Sequence, residues 1–340
     1  MASQMPVKLV ILDDYHNIAA QHFSTIDTSK LEVVTFNDTL PSYTHPQTTD
    51  ADRKKLVVRL RPFAVLSTMR ERTPFPGELL RQLPNLKVIF ATGTQLASFD
   101  KETIKELGIQ LAAAPGKERT DGKGSGPSAR AKIDIKKGGE HPTTQHGKGV
   151  AAGWQTELAI GLQGKTLGLV GFGRIGALVA RVGLLAWGMK IVCWSANLKQ
   201  EKAHQLAEEV GLPVTGGGIA AEHEPTFKVV LLERKKLRWM KPSALFINAA
   251  RGPLIDEAAL LDTIRNGRLR GIALDVFDIE PLPVDSPWRS ESWDVQGKSR
   301  VLLTPHMGYV EGGTMQTWYE ETVENVERYL EGEELLDRLI

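Results

Sequence analysis

The chain has 340 residues, long enough for two domains with full-sized cores. Its 41% hydrophobic and 24% charged content is that of a soluble globular protein, and a net charge of +1 argues against nucleic acid or an anionic membrane as an obligatory partner. A single cysteine, Cys193, excludes an internal disulfide and reads as a buried apolar residue in a reducing, cytoplasmic compartment.

The N-terminal stretch "MASQMPVKLVILDD" meets acidic residues too early for a signal peptide. Within it, Val7–Asp14 ("VKLVILDD") is a short apolar, β-branched run of the kind that forms a buried parallel strand. Similar runs recur at "LEVVTF", "FAVLST" and "LKVIFATG", with helical segments such as "PFPGELLRQL" between them. "KETIKELGIQLAAAP" adds a helix and a strand ending near Pro115. This alternation predicts a doubly wound α/β layer. From Gly116 to Val150 the periodicity stops, and the Gly- and Lys-rich composition predicts a loop or linker, unusually long for a compact domain.

Periodicity resumes at "KTLGLVGFGRIGALVARVGLLAWGMKIVCWS", read as strand, tight turn, helix and strand. Arg181 and Lys190 interrupt its apolar run, so no membrane span is expected. Gly171, Gly173 and Gly176 have G-x-G-x-x-G spacing. The first glycine permits the tight turn, the second lets backbone approach a pyrophosphate, and the third lets helix and strand pack closely. A glycine-rich turn without a ligand is the alternative, and the flanking strand and helix favour the dinucleotide. An acidic partner for the ribose is expected about 20 residues further on. The chain has Ser195, Ala196 and Asn197 there, with Lys199 nearby. Ser195 can bond a ribose hydroxyl without repelling a 2′-phosphate, so the chain announces a dinucleotide without announcing which; weak discrimination is expected, with a slight lean to NAD over NADP.

Further α/β units follow at "ALFINAARG", "DEAALLDTIRNG", "GIALDVF" and "VLLTPH". The tail "TMQTWYEETVENVERYLEG" is an amphipathic helix with Trp318, Val323, Val326 and Leu330 on one face. Arg251, Asp275, Glu280 and His306 each follow an apolar strand, and strand C-termini line the ligand crevice of a doubly wound sheet. A carboxylate-paired histidine passes protons near neutral pH, and arginine offers a fork for a substrate carboxylate. Singly, these residues also read as a turn arginine, surface acids and a capping histidine; together, after a nucleotide loop, they suit hydride transfer at a 2-hydroxy or 2-oxo acid. His141, His146, His204 and His223 have no metal-ligand spacing, and no metal is expected.

With these residues in place, the chain resembles the D-isomer-specific 2-hydroxyacid dehydrogenases. The resemblance runs through "VKLVILDDY", "MRERTPFP", "GFGRIG", "NAARGPLIDE", "ALDVFDIEPLP" and "TPHMG" to the last helix. It implies α/β architecture with two doubly wound parallel-sheet domains. A Rossmann-like cofactor domain (154–308) is inserted in a flavodoxin-like substrate domain (1–115 with 309–340), with 116–153 as linker. It also implies Arg251 as the polarising arginine, Glu280 as the histidine partner, His306 as the acid–base and Asp275 as the acid facing the carboxamide of NAD. Arg174 and Ile175 fall at the pyrophosphate, Ala249 and Ala250 near the ribose, and Gly308 beyond His306. Thr92 and Gly93 fall in the loop whose amides hold the substrate carboxylate, with Arg70 beside them as a further candidate. A homodimer is the family's assembly. An NAD-binding regulatory or corepressor-like protein is the alternative on this fold. It would call for a basic nuclear signal or a partner groove, and "KERTDGKGSGPSARAKIDIKK" is too diffuse to be such a signal.

Two family elements are expected to be missing. "HPTTQH" resembles the start of the helix that crosses between domains, which in the family runs about five turns. Here His146 is followed by "GKGVAAGWQTELAIGL". Between "EKAHQLAEEVGL" and "ALFINAARG" a strand–helix unit is lost, leaving "TFKVVLLERKKLRWMKPS". A misassembled or alternatively spliced product, weakly stable and weakly active with its dimer in doubt, is the expectation. A divergent member with shortened connections is the other reading.

Overall fold

The computed structural model describes residues 5–116, 161–195, 198–216, 222–229, 240–293 and 295–340. They fall in two compact units, one made of 1–126 with 237–340 and the other of 127–236.

In the first unit, β1 (Val7–Ile11), β2 (Leu31–Thr35), β3 (Val65–Thr68), β4 (Val88–Thr92) and β5 (Gln110–Ala114) form a parallel sheet in the order β2-β1-β3-β4-β5. Leu9, Val10, Val65, Val88, Ile89 and Leu111 are wholly buried, as expected of parallel strands covered on both faces. The covering helices are α1 (Ala19–Phe23), α2 (Asp50–Leu60), α3 (Gly77–Leu80) and α4 (Lys101–Glu106). Thr49 caps α2 by accepting from the Asp52 amide, and Asp100 caps α4 by accepting from Thr103.

The same unit holds a second parallel sheet, in which β10 (Gly271–Leu274) lies between β9 (Leu245–Asn248) and β11 (Arg300–Leu303). Helix α7 (Glu257–Arg265), capped by Asp256, buries Leu260 and Ile264 against this sheet, and Trp288 of the short α8 (Pro287–Ser290) joins that core. Helix α9 (Gly312–Glu331) returns to the first sheet and buries Trp318, Tyr319 and Val326 there. Val323 and Leu330, expected on the same face, are partly buried against that cluster.

In the second unit, β6 (Thr166–Val170), β7 (Lys190–Trp194) and β8 (Phe227–Val229) pair in that order, with α5 (Arg174–Trp187) and α6 (Gln200–Glu209) packed on them. Cys193 and Phe227 are fully buried there. Burial pushes the Cys193 thiol up to about 11, consistent with an inert core residue.

Among the described residues, the strands of the expected 154–308 cofactor domain form two sheets of three, and β9–β11 group with the N-terminal residues. Residues 230–239, between β8 and β9, and most of the expected linker lie outside the described residues, and with them the first expected omission and part of the second. Val170 on the edge strand β6 is 69% exposed and Ile247 on the edge strand β9 is 70% exposed.

Candidate active site

The order of the first sheet reverses at β1, whose neighbours are β2 and β3. A doubly wound sheet opens its ligand crevice at such a point, outside the strand C-termini. The segments that leave β1 and β3 there are Asp13–Tyr15 and Arg70–Arg72. Arg70 adopts φ +55, and its amide donates to the Thr92 hydroxyl at 2.8 Å. Its guanidinium lies 5.5 Å from the ring centres of both Tyr309 and Trp318, a cation–π arrangement, and its buried Nε makes no hydrogen bond but lies 3.7 Å from Glu71 Oε2. Gly93 has φ +80, and a Cβ there would come within 2.9 Å of Arg70 Nη1, so a glycine suits this position on both counts. Thr92 is buried and donates to Thr68 O at 3.2 Å, so its side chain ties β4 to β3.

The C-termini of β9, β10 and β11 bring the other predicted residues together. Asn248 ends β9 almost buried; its amide nitrogen donates to Arg251 O at 2.9 Å, and its oxygen accepts from the Ala250 amide at 3.1 Å. This folds Ala249, Ala250 and Arg251 into a turn. Gly252 seals it, because a Cβ there would meet the Phe277 carbonyl at 2.0 Å. Arg251 projects outward, donating through Nη1 to Ala250 O and through Nη2 to Glu71 Oε1, each at 2.7 Å.

After β10, Glu280 Oε2 lies 2.6 Å from His306 Nδ1, and Glu280 Oε1 accepts from the Phe277 amide at 2.9 Å. Burial alone raises the Glu280 pKa. The bonds from His306 and Phe277, with the nearby charges of His306 and Arg72, outweigh that effect and hold it below the usual carboxylate value. Both Asp275 oxygens serve the loop after β11: one accepts from the Thr304 hydroxyl (2.6 Å) and the Met307 amide (2.9 Å), the other from the Gly308 amide (3.1 Å). His306 itself takes φ +50, a left-handed conformation that a non-glycine residue holds only when its surroundings enforce it.

In the second unit, Gly171 has φ +97 and its amide donates to Trp194 O at 2.7 Å. A Cβ at Gly171 or Gly173 would meet open space, whereas one at Gly176 would strike Gly171 O at 2.6 Å. Gly173 is the N-cap of α5 and offers no side chain to its free amides, and Ile175 in the first turn is exposed. Open glycine backbone at the start of a 14-residue helix fits the pyrophosphate of a dinucleotide. Arg174 is the first residue of that helix, and Ser195 follows β7, partly exposed; Ala196 and Asn197 lie outside the described residues.

Sequence reasoning singled out Arg70 but neither Glu71 nor Arg72, and it missed Asn248 and Thr304. The signal available was the charge alternation Arg-Glu-Arg directly after an apolar strand at the sheet's switch point. Among the described residues no group of three His, Cys, Asp or Glu is placed to hold a metal ion, and no helix is long and apolar enough to cross a membrane.

Residues 141–215 and 224–308 match the family model for the NAD-binding domain of D-isomer-specific 2-hydroxyacid dehydrogenases. A hydroxypyruvate reductase of Blautia hydrogenotrophica is 26% identical over 340 residues, covering 96% of this chain and 98% of that protein. A D-3-phosphoglycerate dehydrogenase of Mycobacterium leprae is 29% identical over 83% of this chain, which spans only 52% of that relative's length. Among solved structures, a phosphoglycerate oxidoreductase of Vibrio cholerae aligns with 96% of this chain and 99% of its own at TM-score 0.64 and 27% identity. With the glycine cradle, the strand-end arginine and the Glu280–His306 pair, these matches make the chain similar to the D-isomer-specific 2-hydroxyacid dehydrogenases, NAD-dependent oxidoreductases of 2-hydroxy and 2-oxo acids, the family model covering its NAD-binding span.

Proposed function

We propose that this chain reduces a small 2-oxo acid to the D-2-hydroxy acid, and runs the reverse oxidation, with His306, Glu280 and Arg251 as the catalytic residues. The observation that carries the assignment is the 2.6 Å pairing of His306 Nδ1 with Glu280 Oε2. It commits Nδ1–H to the carboxylate and leaves Nε2 as the nitrogen that gives its proton to the substrate's 2-oxo oxygen. The negative charge of Glu280 stabilises the imidazolium before that transfer. Arg251 presents its fork to the substrate carboxylate and polarises the carbonyl, with Arg70 as a further donor beside the Thr92–Gly93 turn, whose Thr92 hydroxyl donates to Thr68 O and whose Gly93 amide donates to Ala114 O.

NAD, when bound, supplies or takes up the hydride. Gly171, Gly173, Arg174, Ile175 and Gly176 hold its pyrophosphate and Ser195 its ribose. Ala249 and Ala250 are assigned near the ribose, Asp275 to the nicotinamide carboxamide, and Gly308 to the cofactor site beyond His306. Ser195 carries no charge to repel a 2′-phosphate, which supports NAD with NADP admitted. A cytoplasmic homodimer without nucleic-acid or membrane partners completes the reading, supported by composition and by the family's assembly. No observation favours a regulatory role over turnover.

The expected loss of the crossover helix and of a strand–helix unit belongs to this reading too. The sequence supports it, since His146 is followed by "GKGVAAGWQTELAIGL" rather than an apolar helix. Titrating the purified chain with reduced cofactor, followed by nicotinamide fluorescence, tests the nucleotide half. Saturable binding that is weakened by Gly173→Ala is expected, and absence of binding counts against it.

A further inference from the structure

Arg72 is buried beside the proposed acid–base pair, and none of the roles assigned above uses it. Its side chain is only 9% exposed, yet it makes three hydrogen bonds: Nε donates to the Tyr309 hydroxyl (3.1 Å), and Nη2 donates to His306 O (3.0 Å) and Pro305 O (3.4 Å). Its Nη1 lies 3.7 Å from Glu280 Oε2, the oxygen that pairs with His306. The guanidinium also lies 5.6 Å from the Tyr15 ring centre and 5.8 Å from that of Tyr309. Burial alone would weaken its hold on the proton. Tyr309, Tyr15 and Glu280 outweigh burial and keep the arginine above its usual value, so it is a permanent cation.

We propose that Arg72 is a positioning residue for the reaction: one buried guanidinium holds the backbone of His306 in its left-handed conformation and sets the charge felt by the Glu280–His306 pair. Two functions follow from one geometry. A φ of +50 at a histidine is sparsely populated and persists only where the structure over-determines it. Arg72 supplies that constraint at the two carbonyls of residues 305 and 306 and at Tyr309, while Asp275 holds the amides of Met307 and Gly308 from the other side. The planar fork matters, since a lysine ammonium is a point charge on a flexible stem and cannot span the same acceptors in one plane.

The second function is electrostatic. The charged and titratable groups around His306 are Glu280 on Nδ1, Tyr309 edge-on to the ring, Arg72 behind the carbonyl, and Asp275 at the following amides. Glu280 favours the imidazolium, and Arg72, as a cation beside that same carboxylate, opposes it. Arg72 therefore keeps the pair from holding its proton too firmly to give it to a substrate.

This proposal rests on His306 as the acid–base, and its test is read without turnover so that the two can fail separately. The ¹H–¹³C signal of His306 Cε1 is assigned by its loss in His306→Ala and followed against pH in the full chain and in Arg72→Met and Arg72→Lys. Removing the cation in Arg72→Met should raise the titration midpoint of the pair by about half a unit or more. Arg72→Lys keeps the charge and loses the fork, so the signal should be displaced while the midpoint stays near that of the parent chain. An Arg72→Met midpoint at the parental value, or an Arg72→Lys signal coincident with the parent's, overturns the proposal. Should Arg72→Met fail to fold, the Arg72→Lys signal decides on the same terms. A turnover rate unchanged in His306→Ala would instead overturn the catalytic assignment and leave the positioning result standing.

Discussion

Glu71 Oε1 lies 2.7 Å from Arg251 Nη2, so the fork assigned to the substrate carboxylate already carries a carboxylate of this chain. The arginine side chain is 52% exposed, and such pairs contribute about 0.2–1 kcal/mol. Glu71 thus holds Arg251 in place weakly enough for a substrate to displace it. Glu71→Ala is expected to lower KM for a 2-oxo acid by roughly 1.5–5-fold, the same energy read as affinity, with kcat little changed. A raised KM would mean that Glu71 pre-positions the arginine rather than competing for it.

The depressed pKa of Glu280 makes a second prediction with a definite sign. A carboxyl whose folded pKa lies below its unfolded value adds stability that is present above about 4.5 and is lost as pH falls through the folded value. Glu280→Gln removes that contribution, so its unfolding midpoint should lie below the parent's at neutral pH and converge on it in acid. Its pH–rate profile should shift as well. Without the negative charge the imidazolium is less favoured, and the limb where reduction fails with rising pH should move to lower pH. Parallel stability curves and an unmoved limb would show that the two side chains do not act as a pair.

The two expected omissions predict how the chain behaves as a material. Val170 and Ile247 expose apolar surface, which costs about 25 cal/mol per Å² left in water. The chain is expected to bind a hydrophobic dye and to unfold over a broad range with low turnover. Inserting an apolar amphipathic helix of about five turns after His146 should reduce dye binding and sharpen unfolding before it restores activity. Sharp unfolding of the unaltered chain, with turnover of order 1–10³ s⁻¹, would contradict the loss of a covering element.

Much of this was legible in the sequence because the signals are local. Each strand of the first sheet is a continuous apolar run bounded by turn residues, and the phosphate cradle is a spacing of three glycines between a strand and a helix. The pairing of Glu280 with His306 follows from the same kind of signal, since each comes after an apolar strand and strand ends converge. Contacts across long separations were not legible. Glu71 meets Arg251 from 180 positions away, and Arg72 meets the His306 carbonyl from 234 positions away. Nothing in "MRERT" states which of its charges turns inward. The bonds from Thr304, Met307 and Gly308 to Asp275 depend on how β10 and β11 are registered, which no local pattern states.

The central claim is that His306 gives the proton in 2-oxo acid reduction. The most direct measurement is single-turnover oxidation of reduced cofactor, with enzyme in excess and a 2-oxo acid at saturation, compared between the chain and His306→Ala. Enzyme in excess makes the comparison possible even at low turnover. The account predicts a rate about 10²–10⁴-fold slower in the variant, the usual contribution of a positioned acid–base, with cofactor affinity within a few fold. Equal rates in the two proteins would contradict it.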